Sequence, residues 1–186
     1  GEGAFAGDSF GAADARPHCK KITKIVLPDS ITEIGKYAFS GCFKLSQINL
    51  PSAITVIRDG TFFDCRVLEQ IEFPASLTSI DAGAFTKCIK LQEIQFPVGL
   101  KTIGEDAFSY CAAITVLEIP DTVTEIGKAA FAGLSKLETV SLPAGLMELK
   151  EETFAGCRNL KTVHFGQKIR SIGNGAFSNS GLETIT

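Results

Sequence analysis

A phenylalanine returns every 23 residues along this chain, at Phe39, Phe62, Phe85, Phe108, Phe131, Phe154 and Phe177. Pro28, Pro51, Pro74, Pro97, Pro120 and Pro143 keep the same step, with Gly166 in the seventh place. A fixed period of that size is the signature of a solenoid. One unit cannot bury its own apolar face, so each must stack on its neighbours. Stacking gives every Phe, Leu and Ile a copy above and below. Each such side chain contributes roughly 1.5–3 kcal/mol when buried, and conformational entropy offsets most of the sum. Stability then rises with the number of units, and the terminal units are the weakest.

Spacing within a unit locates its strands. Leu45, Ile48 and Leu50 follow L-x-x-I-x-L. Alternation turns Ile48 and Leu50 inward and Asn49 outward. One strand per unit, stacked in parallel about 4.8 Å apart, predicts a long sheet. Pro51 has no N–H for a ladder and ends the strand. Thr55 to Ile57 and its copies read as a second short strand on the opposite wall. Gly35 recurs as Gly104, Gly127 and Gly173, but Arg58, Asp81 and Lys150 stand on the same step. A positive φ is therefore not demanded there. Ala38 to Cys42 reads as a single helical turn, too short to be stable alone, with the Phe ring packed on the next ring.

Residues 1–28 read as an interrupted first repeat, 29–172 as regular repeats and 173–186 as a truncated last one, all in one array without separate domains. Phe5 to Ile22 spans 17 residues where Phe39 to Leu45 spans six, and the excess falls in a loop over 9–20. Such insertions cap a core or line a binding face. Phe177 to Leu182 is one residue shorter than Phe39 to Leu45, which brings Thr184 into the row of Thr162. Both termini match the interior of a repeat, so the sequence reads as part of a longer protein. An apolar fraction of 45% fits a folded chain, and a net charge of −3 gives no basic footprint for nucleic acid. No run of 18 apolar residues predicts a membrane span, and no signal peptide is visible.

Cys42, Cys65, Cys88, Cys111 and Cys157 fall on the repeat step, Leu134 fills the place between the last two, and Cys19 lies 23 before Cys42. No C-x-x-C pair marks a metal site. Neighbouring units hold these Cα atoms within disulfide reach, but side chains of one ladder point the same way. Leu134 shows that the position accepts an apolar filler, which predicts buried free thiols. Cys19, beside the insertion, is the least determined.

The unit x-x-L-x-x-I-x-L-P-x-x-I-T-x-I-G-x-x-A-F-x-x-C resembles the BspA-like, or treponemal-type, leucine-rich repeat. The resemblance covers essentially the whole chain, with the insertion, Leu134 and Gly166 as departures. It implies a right-handed leucine-rich-repeat solenoid with parallel strands on one wall and short second strands and single helical turns on the other. It also implies a surface or secreted protein, adhesin-like, whose protein partner belongs to the host extracellular matrix or cell surface. No catalytic residue, metal or cofactor comes with the repeat.

A partner would meet the strand wall. Its outward positions include Asn49, Glu69, Glu72, Glu93, Gln95, Glu118, Glu138 and His164, acidic in the middle, with Lys21, Lys44, Lys90 and Lys136 at the strand entrance. A stacked sheet holds such rows rigidly and loses less entropy on binding. The same polarity also serves solubility alone. Phe43, Phe63, Ile89 and Tyr110 add apolar groups near the Phe turn. Histidines are few, His18 and His164, and no phosphate loop follows a strand. Glu72 and Glu118 are two units, about 10 Å, apart, beyond an inverting glycosidase pair. The expectation is a non-catalytic interaction module. A structural stalk and an intracellular scaffold are the alternatives, and the oligomeric state is open.

Overall fold

The structure is a computed structural model and describes Cys19 and residues 21–185. The loop expected over 9–20 and His18 lie outside the described residues. The chain coils as a solenoid of parallel two- and three-residue strands. On the strand wall lie β1 (Lys24–Ile25), β2 (Gln47–Ile48), β6 (Val116–Glu118), β8 (Thr139–Ser141), β10 (Thr162–His164) and β12 (Thr184–Ile185). On the second wall lie β3 (Val56–Ile57), β4 (Ser79–Ile80), β5 (Thr102–Ile103), β7 (Glu125–Ile126), β9 (Glu148–Leu149) and β11 (Ser171–Ile172). Neighbours pair in register on the repeat step, as Ser79 with Thr102. Thr162 pairs with Thr184, as the one-residue deletion requires.

The expected long sheet is interrupted. β1 pairs only with β2, Gln70 and Glu93 form a lone bridge, and β6, β8, β10 and β12 form one sheet. Among the described residues no strand pairing joins Gln47 to Gln70, and none joins Glu93 to Val116. The sequence period runs unbroken through both points, so the ladder opens where the repeat does not.

Burial follows the period. The Leu, Ile, Ala and Phe copies, from Ile34 to Ala176, form one continuous core. The rings stack in a column, with centroids 5.1 Å apart at Phe62–Phe85 and Phe85–Phe108 and 5.9 Å at Phe154–Phe177. Phe73, Phe96 and Phe165 stand edge-on to that column, at 5.7, 5.5 and 6.2 Å. Both arrangements suit the ring quadrupole.

The expected helical turn is absent; the Phe segment is a run of turns. Its amides alternate between two kinds of partner. Ala38, Ser40 and Cys42 donate back to the carbonyls of Gly35, Tyr37 and Phe39, at 3.2, 3.0 and 3.2 Å. Tyr37, Phe39 and Gly41 donate forward, to Asp59, Thr61 and Phe63 of the next unit, at 2.9, 2.9 and 2.7 Å. A helix would have kept all six bonds inside the unit, whereas the turns tie each unit to its neighbour. On the strand side the direction reverses, and Ser46 donates to Thr23 of the unit behind at 2.9 Å.

That alternation requires left-handed backbone twice per unit. One row is Tyr37, Gly60, Gly83, Asp106, Ala129, Glu152 and Gly175; the other is Gly41, Asp64, Lys87, Tyr110, Gly133, Gly156 and Asn179. The Gly35 step carries no positive φ, as expected. It is nevertheless tight in places, because a Cβ at Gly127 would lie 2.3 Å from the Glu105 amide nitrogen.

The thiols divide. Cys65, Cys88, Cys111 and Cys157 are free and buried, as expected. They are also hydrogen-bonded: each donates to a Phe carbonyl of the preceding unit, at 3.3, 3.2, 3.1 and 3.2 Å. Burial pushes the Cys65 and Cys88 thiols well above their ordinary range and Cys157 to about 12. Cys19 and Cys42 depart from the expectation of free thiols, for they form a disulfide. Their Cα atoms are 4.6 Å apart, inside the bonding range.

Candidate interaction surface

Strands with an exposed-buried-exposed pattern, such as β6 and β8, turn Leu117 and Val140 into the core and leave Val116, Glu118, Thr139 and Ser141 in solvent. The same rule carries through the wall. Asn49, Glu69, Glu72, Glu93, Gln95, Glu118, Glu138 and His164 are all exposed. Lys21, Lys44, Lys90 and Lys136 are exposed as well.

These residues do not form one site. The Asn49 amide is already bound to the unit behind, accepting the Leu27 N–H at 2.8 Å and donating to the Leu27 carbonyl at 2.9 Å. It closes a strand edge. Glu69 lies 3.9 Å from Lys90. Glu93, Gln95 and Glu118 come together on the rim of a shallow concavity of about 790 Å³, across the break in the sheet. Glu69, Glu72, Glu138 and His164 do not line it.

The residue reading passed over the apolar half of that concavity. Val98 is 83% exposed and Val116 62%, and both line it beside Phe96 and Asp121. The signal was in the rows. Val116 stands among Gln47, Gln70, Glu93, Thr139 and Thr162, and Val98 among Asp29, Ser52, Ala75 and Asp121.

The turn wall carries a different chemistry. The Arg66 guanidinium lies 4.9 Å over the Phe43 ring and donates to Asp64 at 2.8 and 3.1 Å. The Lys87 ammonium lies 5.6 Å from the Phe63 ring centroid. Phe43 and Phe63 are half-buried, whereas Ile89 and Tyr110 are exposed. A smaller concavity of about 370 Å³ lies between Tyr37, Phe63 and Tyr110. Second-wall charges pair across units, as Lys150 with Glu125 at 2.6 Å and Lys128 with Glu151 at 3.1 Å. Among the described residues, no group of three or more His, Cys, Asp or Glu side chains is placed to hold a metal ion. No described helix is long and apolar enough to cross a membrane.

Known structures share this architecture. The Treponema pallidum leucine-rich repeat protein is 37% identical, with 81% of this chain and 73% of that chain covered and a TM-score of 0.76. A leucine-rich repeat protein from Eubacterium ventriosum is 27% identical at a TM-score of 0.76, covering 85% of this chain and 43% of that one. A leucine-rich cell surface protein from Faecalibacterium prausnitzii is 28% identical at a TM-score of 0.63, covering 77% and 48%. The chain thus spans about three quarters of the first and under half of the other two. No curated relative matches it. The profile of the BspA type leucine rich repeat region matches in six copies, over residues 14–138 and 84–186. On its repeat, its fold and these likenesses, the chain belongs to the BspA-type leucine-rich repeat family.

Proposed function

We propose that this chain is a non-catalytic protein-interaction module of a cell-surface or secreted protein, adhesin-like, which binds a protein partner through its strand wall. One observation carries the reading. The wall holds a concavity where exposed carboxylates of Glu93 and Glu118 flank the exposed valines Val98 and Val116. An apolar centre with a polar rim is the usual anatomy of a protein interface. The Cys19–Cys42 disulfide suits an oxidising compartment and so favours the surface over an intracellular scaffold. The Faecalibacterium relative is itself described as a cell surface protein.

The test is a pull-down from host extracellular matrix and serum. The baits are the natural chain and a Glu72→Lys/Glu118→Lys variant. A protein held by the first and lost by the second is the expected result. Equal retention by both would remove the strand wall from the reading and leave a stalk that projects other domains.

A further inference from the structure

The ladder break between Glu93 and Val116 coincides with the concavity of the strand wall. No backbone hydrogen bond joins residues 92–95 to residues 115–118 among the described residues. The ladders also lapse between Gln47 and Gln70 and between Glu125 and Glu148, whereas Gln92 donates to Glu69 of the unit behind at 3.0 Å.

We infer that this break is the docking point of the strand wall, and that its occupant is a basic protein segment carrying apolar side chains. The inference rests on the strand-wall reading above and names the partner's chemistry. Charge is the first argument. Glu93, Glu118 and Asp121 line the concavity, and no Lys or Arg does. Several carboxylates on the other faces meet cations of neighbouring units: Asp59 with Lys36 at 2.7 Å, Glu33 with Arg58 at 3.0 Å, Glu125 with Lys150 at 2.6 Å. Glu93 and Glu118 have no ion pair among the described residues. With Asp121 they set three carboxylates around one concavity whose lining holds no cation.

Placement is the second argument. On the repeat step Glu93 lies beside Val116, Gln95 beside Glu118, and Val98 beside Asp121. Each row sets a carboxylate next to a neutral side chain, with acid and valine changing sides between the first row and the last. A segment that alternates basic and apolar side chains meets both at once. An acidic or purely polar segment would leave the valines uncovered and the carboxylates repelled.

The probe is a fluorescein-labelled dodecapeptide of alternating Arg and Leu, with a Glu-Leu peptide as its counterpart, read by fluorescence anisotropy. Binding of the Arg peptide, falling about tenfold in E93Q/E118Q and about fivefold in V98S/V116S, supports the inference. The size follows from the loss of two exposed ion pairs and of the apolar contact of two valines. Asp121 is left in place because its Oδ1 accepts the Ala144 N–H at 2.8 Å. An E125Q/E151Q control, which neutralises two acids on the second wall, should stay within twofold. Thermal unfolding of each variant checks that it is folded. The inference is overturned if the control weakens binding as much as the seam variants do. It is also overturned if the valine pair has no effect, or if the Glu-Leu peptide binds equally. Should the pull-down partner be lost with Glu72→Lys/Glu118→Lys while the Arg peptide ignores E93Q/E118Q, the interaction module stands and the basic occupant falls. Loss of neither overturns both.

Discussion

Replacing Glu152 with glycine should stabilise this protein, which is the reverse of the usual effect of glycine. Glu152 is exposed and sits at φ 57°, in the left-handed region. An L-residue there costs about 1–2 kcal/mol. Glycine removes that cost but adds about 0.5–1 kcal/mol of chain entropy to the unfolded state. The difference is about 0.5–1 kcal/mol in favour of Glu152→Gly, or about 2 °C in Tm for a chain of this size. Gly83→Ala makes the mirror test. It lies at φ +61°, and its nearest contact for a Cβ is the Thr86 Oγ1 at 3.6 Å, so no clash confuses the result. There the left-handed cost outweighs the entropy gain, and stability should fall by a similar amount. Glu151→Gly, next door and without a positive φ, should lose about 0.5–1 kcal/mol, plus whatever its ion pair with Lys128 contributes. Urea unfolding at constant m reads all three as shifts in midpoint. If Glu152→Gly moves the midpoint down, as Glu151→Gly does, the backbone argument is wrong.

Gly60→Ala should be far more damaging than Gly83→Ala, since its Cβ would sit 2.2 Å from the Tyr37 ring. Overpacking adds about 1–3 kcal/mol. The double variant with Tyr37→Ala should recover that part, and a double-mutant cycle showing no coupling would contradict the contact. Reducing the Cys19–Cys42 bridge opens a loop of sequence separation 23 and should cost about 3 kcal/mol in the chain-entropy account. The urea midpoint should drop on adding dithiothreitol in the natural chain and stay put in C19S/C42S; an unmoved natural chain would count against the bridge. The Cys157 thiol is raised in the folded state from its ordinary value near 9 to about 12. Its stabilising share is therefore full below pH 9 and lost as pH climbs toward 12, with a slope of at most about 1.4 kcal/mol per pH unit. C157A should show a shallower alkaline limb, and an unchanged slope would speak against the shift.

Much of this fold can be read from the sequence because its period is strict. The Phe column, the inward Leu and Ile rows, the second strands at Val56–Ile57 and its copies, and the one-residue slip at Thr184 all follow from spacing. The turns do not. Each left-handed row holds glycine at only three of its seven places, so Tyr37 or Glu152 gives no sign of its backbone. The segment thus reads as helical, although its amides alternate between units. The disulfide was hidden for a related reason. Cys19 and Cys42 have the same 23-residue step as Cys42 and Cys65, and spacing cannot tell a bonded pair from a stacked one. On the strand wall the exposed rows were legible, including Glu93, Gln95 and Glu118. The break beside Val116 was not, because hydrogen bonding can lapse where the side-chain pattern does not. Asn49 looked like a surface residue and is one, yet its amide serves the backbone of Leu27.

The opposed hydrogen bonds of the two sides have a consequence for length. Turn amides that leave their unit point to the unit ahead, and amides at the strand entrance, such as those of Ser46, Gln92 and Lys161, point to the unit behind. Peptide dipoles on the two sides of a coil therefore oppose one another along the axis, unlike those of a helix, which add. Lengthening such an array accumulates little field along its axis. Each unit also offers its neighbours the same donors and acceptors that it takes from them. A unit can be removed or duplicated and the flanking units still meet a matching face, so reach becomes a quantity that sequence duplication can adjust without redesigning the core.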